Sequence, residues 1–377
     1  MRFLDNFKPE LTVESPGRIN IIGEHTDYNM GYVLPTAIEK KITFKFQKNG
    51  SDKICHVYSK GYDTGFELSL DTIEISKVEW ENYILGVLNE ISKRTDKLRG
   101  FDCVLESHVP IGSGVSSSAA LECGLAFGLN EMFDLGLSKM DIVKLSQAAE
   151  HTYAGTKCGI MDQFASVMSK KGHVILLDCE SLEYSYIPIH IKPYKIVLLN
   201  TNVSHNLASG EYNKRRAQCE TGVSALQKIY PEVKSLRNAN MDMLNEVKDT
   251  IDETVYNRCA YVIQEKTRVL EAVEALKANN LKRVGELLYE THEGLSKMYE
   301  VSCPELDFLV AFTKGNDAVL GARMMGGGFG GCTINLVHED AIEEFVAAAS
   351  KAYEKAYNLK LTWFEASPSQ GTSILKK

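Results

Sequence analysis

The run Val109–Ala120, VPIGSGVSSSAA, limits this chain more than any other stretch. Gly112 and Gly114 permit tight turns and let backbone N–H groups face outward. Three serines, Ser116, Ser117 and Ser118, then open a helix predicted over residues 116–133, SSSAALECGLAFGLNEMF, with serine at the cap and apolar residues at helical spacing. A helix N-terminus behind a glycine-rich turn suits an anion, because its first N–H groups lack partners and its dipole is positive there. Ala119 and Ala120 have no bulk, so the helix can start close to a neighbouring element. The serine hydroxyls can reach Mg²⁺ or a phosphate oxygen. Taken alone, the run also fits a loop with an N-cap and no ligand.

The common phosphate loops do not match. A Walker loop requires a Lys that this run lacks, and no H-R-D or D-F-G of a protein kinase is found. A dinucleotide fingerprint fails because Ser117 stands where the third glycine belongs. Gly326–Gly331 fits G-x-G-x-x-G literally, but the strand-like CTINLV follows it where that turn requires a helix. An oxidoreductase reading of that match is therefore discounted.

Net charge sharpens the point. The 377 residues carry a formal charge of −8, which argues against nucleic acid as a partner and means that phosphates must be held locally. No stretch approaches 18 uninterrupted apolar residues and no signal-peptide core is seen, so neither a membrane span nor secretion is expected. Nine cysteines, an odd number without a C-x-x-C pair, read as reduced thiols of a cytoplasmic protein. No heptad seam suggests an interface, and a monomer is expected.

Residues 42–47, 101–107, 174–177 and 195–199 read as strands, and Ser138–Tyr153 as a second serine-capped helix. From about Asn213 to Tyr299 the pattern is long, charged and helical. The glycine run, the strand-like CTINLV, a helix near Ala341–Ala356 and a strand-like LKLTWFEA complete an α+β half. The expected division is 1–184 and 185–377, with no flexible linker between the halves.

Two further segments carry chemistry. Ser15–Pro35 packs Arg18, Glu24, His25 and Asp27 into ten positions beside Ile19, Ile21 and Ile22. Acids and a histidine at such spacing suit sugar hydroxyls, each of which must be paired when buried. The segment fits equally a solvated loop with capping roles for Asp27 and Asn29. Glu150 and Asp162 are the remaining candidate acids, suited to a metal and to an acceptor hydroxyl in phosphoryl transfer, or to ordinary capping and surface roles.

Together, GRINIIGEHTDYNMGYVLP, VPIGSGVSSSAA and ARMMGGGFGGCTI, in this order, resemble the GHMP kinase superfamily. The first segment resembles the signature of its galactokinases, as do CGIMDQFAS, TNVSHNLASGEYNKRRAQCE and SCPELD. The resemblance implies an N-terminal domain like the second domain of ribosomal protein S5 and a C-terminal ferredoxin-like domain, with ATP in the cleft between them. It implies transfer of the γ-phosphate of ATP to the anomeric hydroxyl of galactose. Gly112, Ser113, Gly114, Val115 and Ser116–Ser118 would wrap the phosphates. Ser118 or Ser117, with Glu150, would hold Mg²⁺. Asp162 would face the hydroxyl as base or orienter, with Arg18 beside it to stabilise transferred charge. Glu24, His25, Asp27, Gly159 and Tyr212 would contact the sugar, and Trp80 the adenine. The glycine run would approach the sugar and phosphates. Other readings are a kinase for N-acetylgalactosamine or arabinose, and a sugar- and ATP-dependent sensor that binds a transcriptional regulator.

Overall fold

The structure, a computed structural model, describes residues 1–204 and 208–376, and every count below is of those residues. In the quoted segment Thr201–Glu220, residues 205–207 lie outside the described residues. The strands are β1 Leu11–Asn20, β2 Tyr32–Val33, β3 Pro35–Lys48, β4 Ile54–Ser59, β5 Thr64–Ser69, β6 Phe101–Ser107, β7 His173–Asp178, β8 Tyr184–Pro188, β9 Tyr194–Ser204, β10 Val319–Met324, β11 Gly330–His338, β12 Thr362–Ala366 and β13 Ser373–Lys376. The α-helices are α1 Glu79–Ser92, α2 Ser117–Phe133, α3 Lys139–Ala149, α4 Met161–Met168, α5 Ala208–Leu226, α6 Met241–Glu246, α7 Glu253–Lys277, α8 Leu281–Glu293, α9 Pro304–Thr313 and α10 Ile342–Tyr357.

Three sheets form, ordered β13-β1-β3-β6-β4-β5, β10-β11-β9-β12 and β2-β7-β8. In β3 the apolar residues Ile42, Phe44 and Phe46 are buried and alternate with half-exposed polar ones, the period-2 pattern of a strand with one face in the core. Helix α2 lies on that face. A Cβ at Gly124 would come within 2.2 Å of Phe44, and one at Gly128 within 2.1 Å of Phe46. Two glycines one helical turn apart therefore bring α2 down onto the rings of β3, and this close seat fixes where its N-terminus emerges.

Serine caps α3 as expected. Ser138 Oγ accepts from the Asp141 N–H at 3.1 Å while Asp141 accepts from the Ser138 N–H at 2.9 Å, a reciprocal box. The predicted helix 138–153 changes character at its end, where Glu150–Ala154 forms a π turn. Such wide turns are rare inside helices and re-aim side chains at functional sites.

The long helical stretch is interrupted. Helix α5 ends before Pro231, which disfavours helical backbone at the residue preceding it. Asn280 starts α8 anew, accepting from the Arg283 N–H at 3.2 Å. Seven strands escaped the pattern reading: β1, β2, β4, β5, β8, β10 and β13. The chain end returns to the first sheet, where Ile374 of β13 pairs with Val13 of β1. Strands β10 and β11 are antiparallel, with Met324 opposite Thr333, so the glycine run between them is a hairpin turn. That geometry excludes the strand–helix turn of a dinucleotide site.

The largest core runs from the six-stranded sheet and α1–α4 into α7, α8, β9 and β11, through residues such as Ile196, Leu198, Val269, Leu287 and Ile334. Strand β9 is buried on both faces, since Val197 and Leu199 belong to a separate core with α9 and α10. The two halves thus share buried side chains, which holds the cleft between them in one register.

Candidate active site

Two cavities meet at the start of α2. The first, of about 330 Å³, is lined by Arg18, Glu24, His25, Asp27, Glu150 and Asp162, by Tyr212, by Gly112 and Gly114–Ser118 on the loop, and by Gly326–Gly328 on the hairpin. The second, of about 460 Å³, holds Trp80, Tyr62, Ile111 and Leu121. Ser117, Ser118 and Tyr83 line both. Volumes of this order suit small ligands.

At the floor of the first cavity Arg18 and Asp162 form a two-point pair. Arg18 Nε and Nη2 donate to Asp162 Oδ1 and Oδ2, each at 2.8 Å. The remaining terminal nitrogen, Nη1, donates to the Gly114 carbonyl at 2.6 Å, tying the pair to the glycine-serine loop. Burial works against the charge of Arg18, but the carboxylates of Asp162, Glu24 and Asp27 outweigh it and hold its pKa above the ordinary value.

The loop itself departs from the expected cap. Ser116 precedes α2 but has left-handed backbone, φ 58°, and makes no side-chain bond to the helix. Its hydroxyl donates instead to Asp162 Oδ2. The start of α2 thus lacks a side-chain cap from Ser116, and Ser116–Ser118 line the first cavity, where an anion would satisfy the first N–H groups of the helix. Gly112 and Gly114 take φ of 72° and 76°, conformations that suit glycine. Gly114 also packs against Gly326, where a Cβ would meet the Gly114 carbonyl at 3.0 Å. Ser113 is fully buried and donates to the Pro110 carbonyl at 2.8 Å, so its side chain braces the loop from behind.

Glu150, carried by the π turn, accepts from Ser118 at 3.2 Å and from Gln163 Nε2 at 2.6 Å. Burial, then the Asp162 charge, pushes its carboxyl up to about 7. Gln163 Nε2 also reaches Glu122 Oε2 at 3.3 Å. Glu122 is fully buried, and burial followed by Glu150 raises its pKa well above the carboxylate range. Sequence reading passed over Glu122 and Gln163. The second stands in the quoted CGIMDQFAS, but Glu122 sits at an ordinary helical position and leaves no local signal.

The acidic segment after β1 is buried throughout. Glu24 Oε1 accepts from Arg323 Nη1 at 3.1 Å and from the Gly326 N–H at 2.9 Å. His25 has φ 63°, unusual for a residue with a Cβ, and its carbonyl accepts from Asn29 at 2.9 Å. Burial lowers the His25 pKa to about 3, so the ring is neutral and carries one N–H. That hydrogen must lie on Nε2, because its partner at 3.2 Å is the Gly327 carbonyl, which can only accept. Nδ1 then accepts from Tyr28 at 2.7 Å, and Tyr28 in turn meets Tyr299 at 2.7 Å. Burial, then Asp162, pushes Asp27 up to about 7. Gly159 lies directly behind it, where a Cβ would come within 2.0 Å of Asp27 Oδ2. The Tyr212 ring packs on His25 at 5.3 Å between centroids.

In the second cavity the Trp80 ring stacks with Tyr62 at 5.7 Å and an interplanar angle of 28°. The fold therefore brings together the expected residues around one pair of cavities, with Trp80 in the outer one and Ser113 and Gly159 a layer behind the surface.

Comparison with known proteins bears on the family and the fold. Residues 1–48 match the family model described as the galactokinase galactose-binding signature. Residues 82–170 match the GHMP kinases N terminal domain, and 272–355 the GHMP kinases C terminal. A galactokinase of Thermosipho africanus is 41% identical over 97% of this chain and 100% of the relative. The crystal structure of Lactococcus lactis galactokinase complexed with galactose superposes with a TM-score of 0.93 at 34% identity, covering 99% of this chain and 97% of that one. Mevalonate kinase from Methanococcus jannaschii shares the fold, with a TM-score of 0.66 at 20% identity over 96% of this chain and 98% of that one. With its signature segment, both GHMP domains and full-length relatives in agreement, the chain belongs to the galactokinase family of ATP-dependent GHMP sugar kinases.

Proposed function

We propose that the chain transfers the γ-phosphoryl group of ATP to the anomeric hydroxyl of D-galactose, giving galactose 1-phosphate and ADP, with Asp162 orienting that hydroxyl. The observation that carries this reading is the double contact of Arg18 with Asp162, locked to the loop through Gly114 and Ser116. It joins the sugar side and the phosphate side of the cavity through one carboxylate. In the reaction the anomeric oxygen bonds to the γ-phosphorus while the bond from that phosphorus to the bridging oxygen breaks. Such transfer is largely dissociative and asks the protein for positioning and charge more than for proton removal. Both Asp162 oxygens already accept from Arg18, which suits orientation of a hydroxyl, and Arg18 supplies positive charge beside the transferred group.

Glu24, His25, Asp27, Gly159 and Tyr212 are assigned to the sugar, and Trp80 to the adenine. The loop Gly112–Ser118 and the uncapped start of α2 are assigned to the phosphates. Ser118, Ser117 and Glu150 fit Mg²⁺, since all three offer oxygen and Glu150 is a buried carboxylate whose raised pKa a cation would relieve. Among the described residues no cluster of three or more His, Cys, Asp or Glu could cage a metal, which matches an ion that takes its other oxygens from nucleotide and water. When bound, Mg²⁺ neutralises phosphate charge and orients the nucleotide.

We also assign residues 1–184 to the domain with the phosphate loop and most sugar contacts, and 185–377 to the domain that supplies Tyr212 and the hairpin. A monomer in the cytoplasm is the accompanying reading; the nine cysteines are unpaired, and among the described residues no helix is long and apolar enough to cross a membrane. The test is ADP release across galactose, glucose, N-acetylgalactosamine and arabinose. Strong preference for galactose is expected, because a site built to pair each hydroxyl rejects sugars that leave groups unpaired. Comparable turnover of glucose or N-acetylgalactosamine would overturn the assignment.

A further inference from the structure

Arg323 is a fully buried side chain at the end of β10, and among the described residues its side-chain hydrogen bonds all go to the sugar segment or to its own strand. Nε donates to the Ile21 carbonyl at 2.9 Å and Nη2 to the Asn20 carbonyl. Nη1 donates to Glu24 Oε1 at 3.1 Å and to the Met324 carbonyl at 2.6 Å. A guanidinium taken out of water is costly, and a buried ion pair is often no more stabilising than apolar packing. Fold stability alone is therefore a poor explanation for an arginine here. What it does specifically is occupy Glu24 Oε1, together with the Gly326 N–H at 2.9 Å. Among the described residues no hydrogen bond is made to Glu24 Oε2, and Glu24 lines the first cavity. The same contacts join the exit of β1 to the start of the glycine-rich hairpin, whose Gly327 carbonyl receives the His25 N–H.

We propose that Arg323 is a positioning residue for sugar selectivity: its fork consumes one oxygen of Glu24, aims the other at a sugar hydroxyl, and sets the hairpin that fixes the ring of His25. The proposal rests on the assignment of Glu24 to the sugar. The guanidinium plane matters because two of its edges address different partners at once, which a lysine ammonium cannot reproduce.

The experiment compares the full chain with Glu24→Gln, Arg323→Lys and Arg323→Gln, using ATP with galactose and each monodeoxygalactose. In the unaltered chain one deoxygalactose should show a KM raised about tenfold or more over galactose, and Glu24→Gln should abolish that difference. Arg323→Lys should fold, raise the galactose KM roughly tenfold, shrink the same deoxy penalty, and leave kcat and the ATP KM within about threefold. Arg323→Gln should do the same more severely; should it fail to fold, Arg323→Lys decides. Arg323 variants that lose thermal stability while keeping the galactose KM and the deoxy penalty overturn the proposal, as do variants that lose kcat alone. A Glu24→Gln variant with an unchanged deoxy panel overturns the assignment of Glu24 to the sugar, and the role of Arg323 with it; an altered Glu24 panel beside unaltered Arg323 panels overturns only the latter.

Discussion

Arg18 and Asp162 stand 144 positions apart in sequence and meet through two N–H···O bonds of 2.8 Å. Strand β1 presents the guanidinium and the first turn of α4 presents the carboxylate. The pair is only partly screened, with 5% of the Arg18 side chain and 24% of that of Asp162 exposed. The exposed share belongs to the acid, on the wall where an acceptor would sit. A two-point contact of this kind fixes the direction of the carboxylate as well as its distance.

Glu150→Ala should raise the magnesium requirement steeply. The variant removes the acid of the Ser118–Glu150 pair and leaves the phosphate loop intact. Activity titrated with Mg²⁺, and Mn²⁺ binding followed by electron paramagnetic resonance without turnover, give two independent readouts. Superimposable titrations for the two proteins would remove Glu150 from the metal site.

Asp27 gives stability a pH dependence with a defined sign. Its pKa rises from 3.8 to about 7 on folding, mainly through burial and then through Asp162. A group raised in this way contributes stability that is fully present below about pH 4 and lost as pH rises through about 7. The ligand-free chain should therefore lose, from this group, on the order of a few kcal/mol across that window. Asp27→Asn stays uncharged and should flatten the profile. Denaturant titrations at about pH 5 and pH 8 check this, and parallel losses in both proteins would sink it.

Gly159→Ala should damage sugar binding without touching the nucleotide. The added Cβ would fall 2.0 Å from Asp27 Oδ2, so the carboxylate must move. A galactose KM raised about tenfold or more is expected, in line with a displaced charged hydrogen-bonding group, while the ATP KM stays near its original value. Equal rises in both constants would point to a general disturbance of the cleft.

Trp80→Ala should separate the two cavities in the opposite sense. Loss of an aromatic face against a base costs roughly 1–3 kcal/mol, so the ATP KM should rise about five- to a hundredfold. Galactose affinity, measured by calorimetry without nucleotide, should not change. A matching loss of galactose affinity would place Trp80 outside a dedicated adenine pocket.

Much of this site was legible because its parts are local. Gly112, Gly114 and the three serines announce a turn and a helix start within one run, and Arg18 to Asp27 lie within ten positions. Reading Ser116 as a cap failed for a tertiary reason: its hydroxyl is drawn away by Asp162, 46 positions on. The supports were equally hidden. Arg323 reaches Glu24 from 299 positions away, and Tyr261 of α7 donates to the Glu24 carbonyl at 3.0 Å from 237 positions away. Glu265, also on α7, holds the Gly23 N–H at 2.9 Å. Such residues look like ordinary members of a charged helix or strand until the halves pack. Strand β13 shows the same limit, since its pairing with β1 depends on the chain end crossing back to the first sheet.

Asp162→Asn tests the central assignment most directly. The amide preserves size and can still face the anomeric hydroxyl, but it loses the charge that Arg18 grips. Turnover should fall by roughly 10²-fold or more, the scale on which a misplaced reacting group loses rate. Galactose binding, measured by calorimetry on the same protein, should persist. Retention of more than about a tenth of kcat would contradict a central role for Asp162, given that scale.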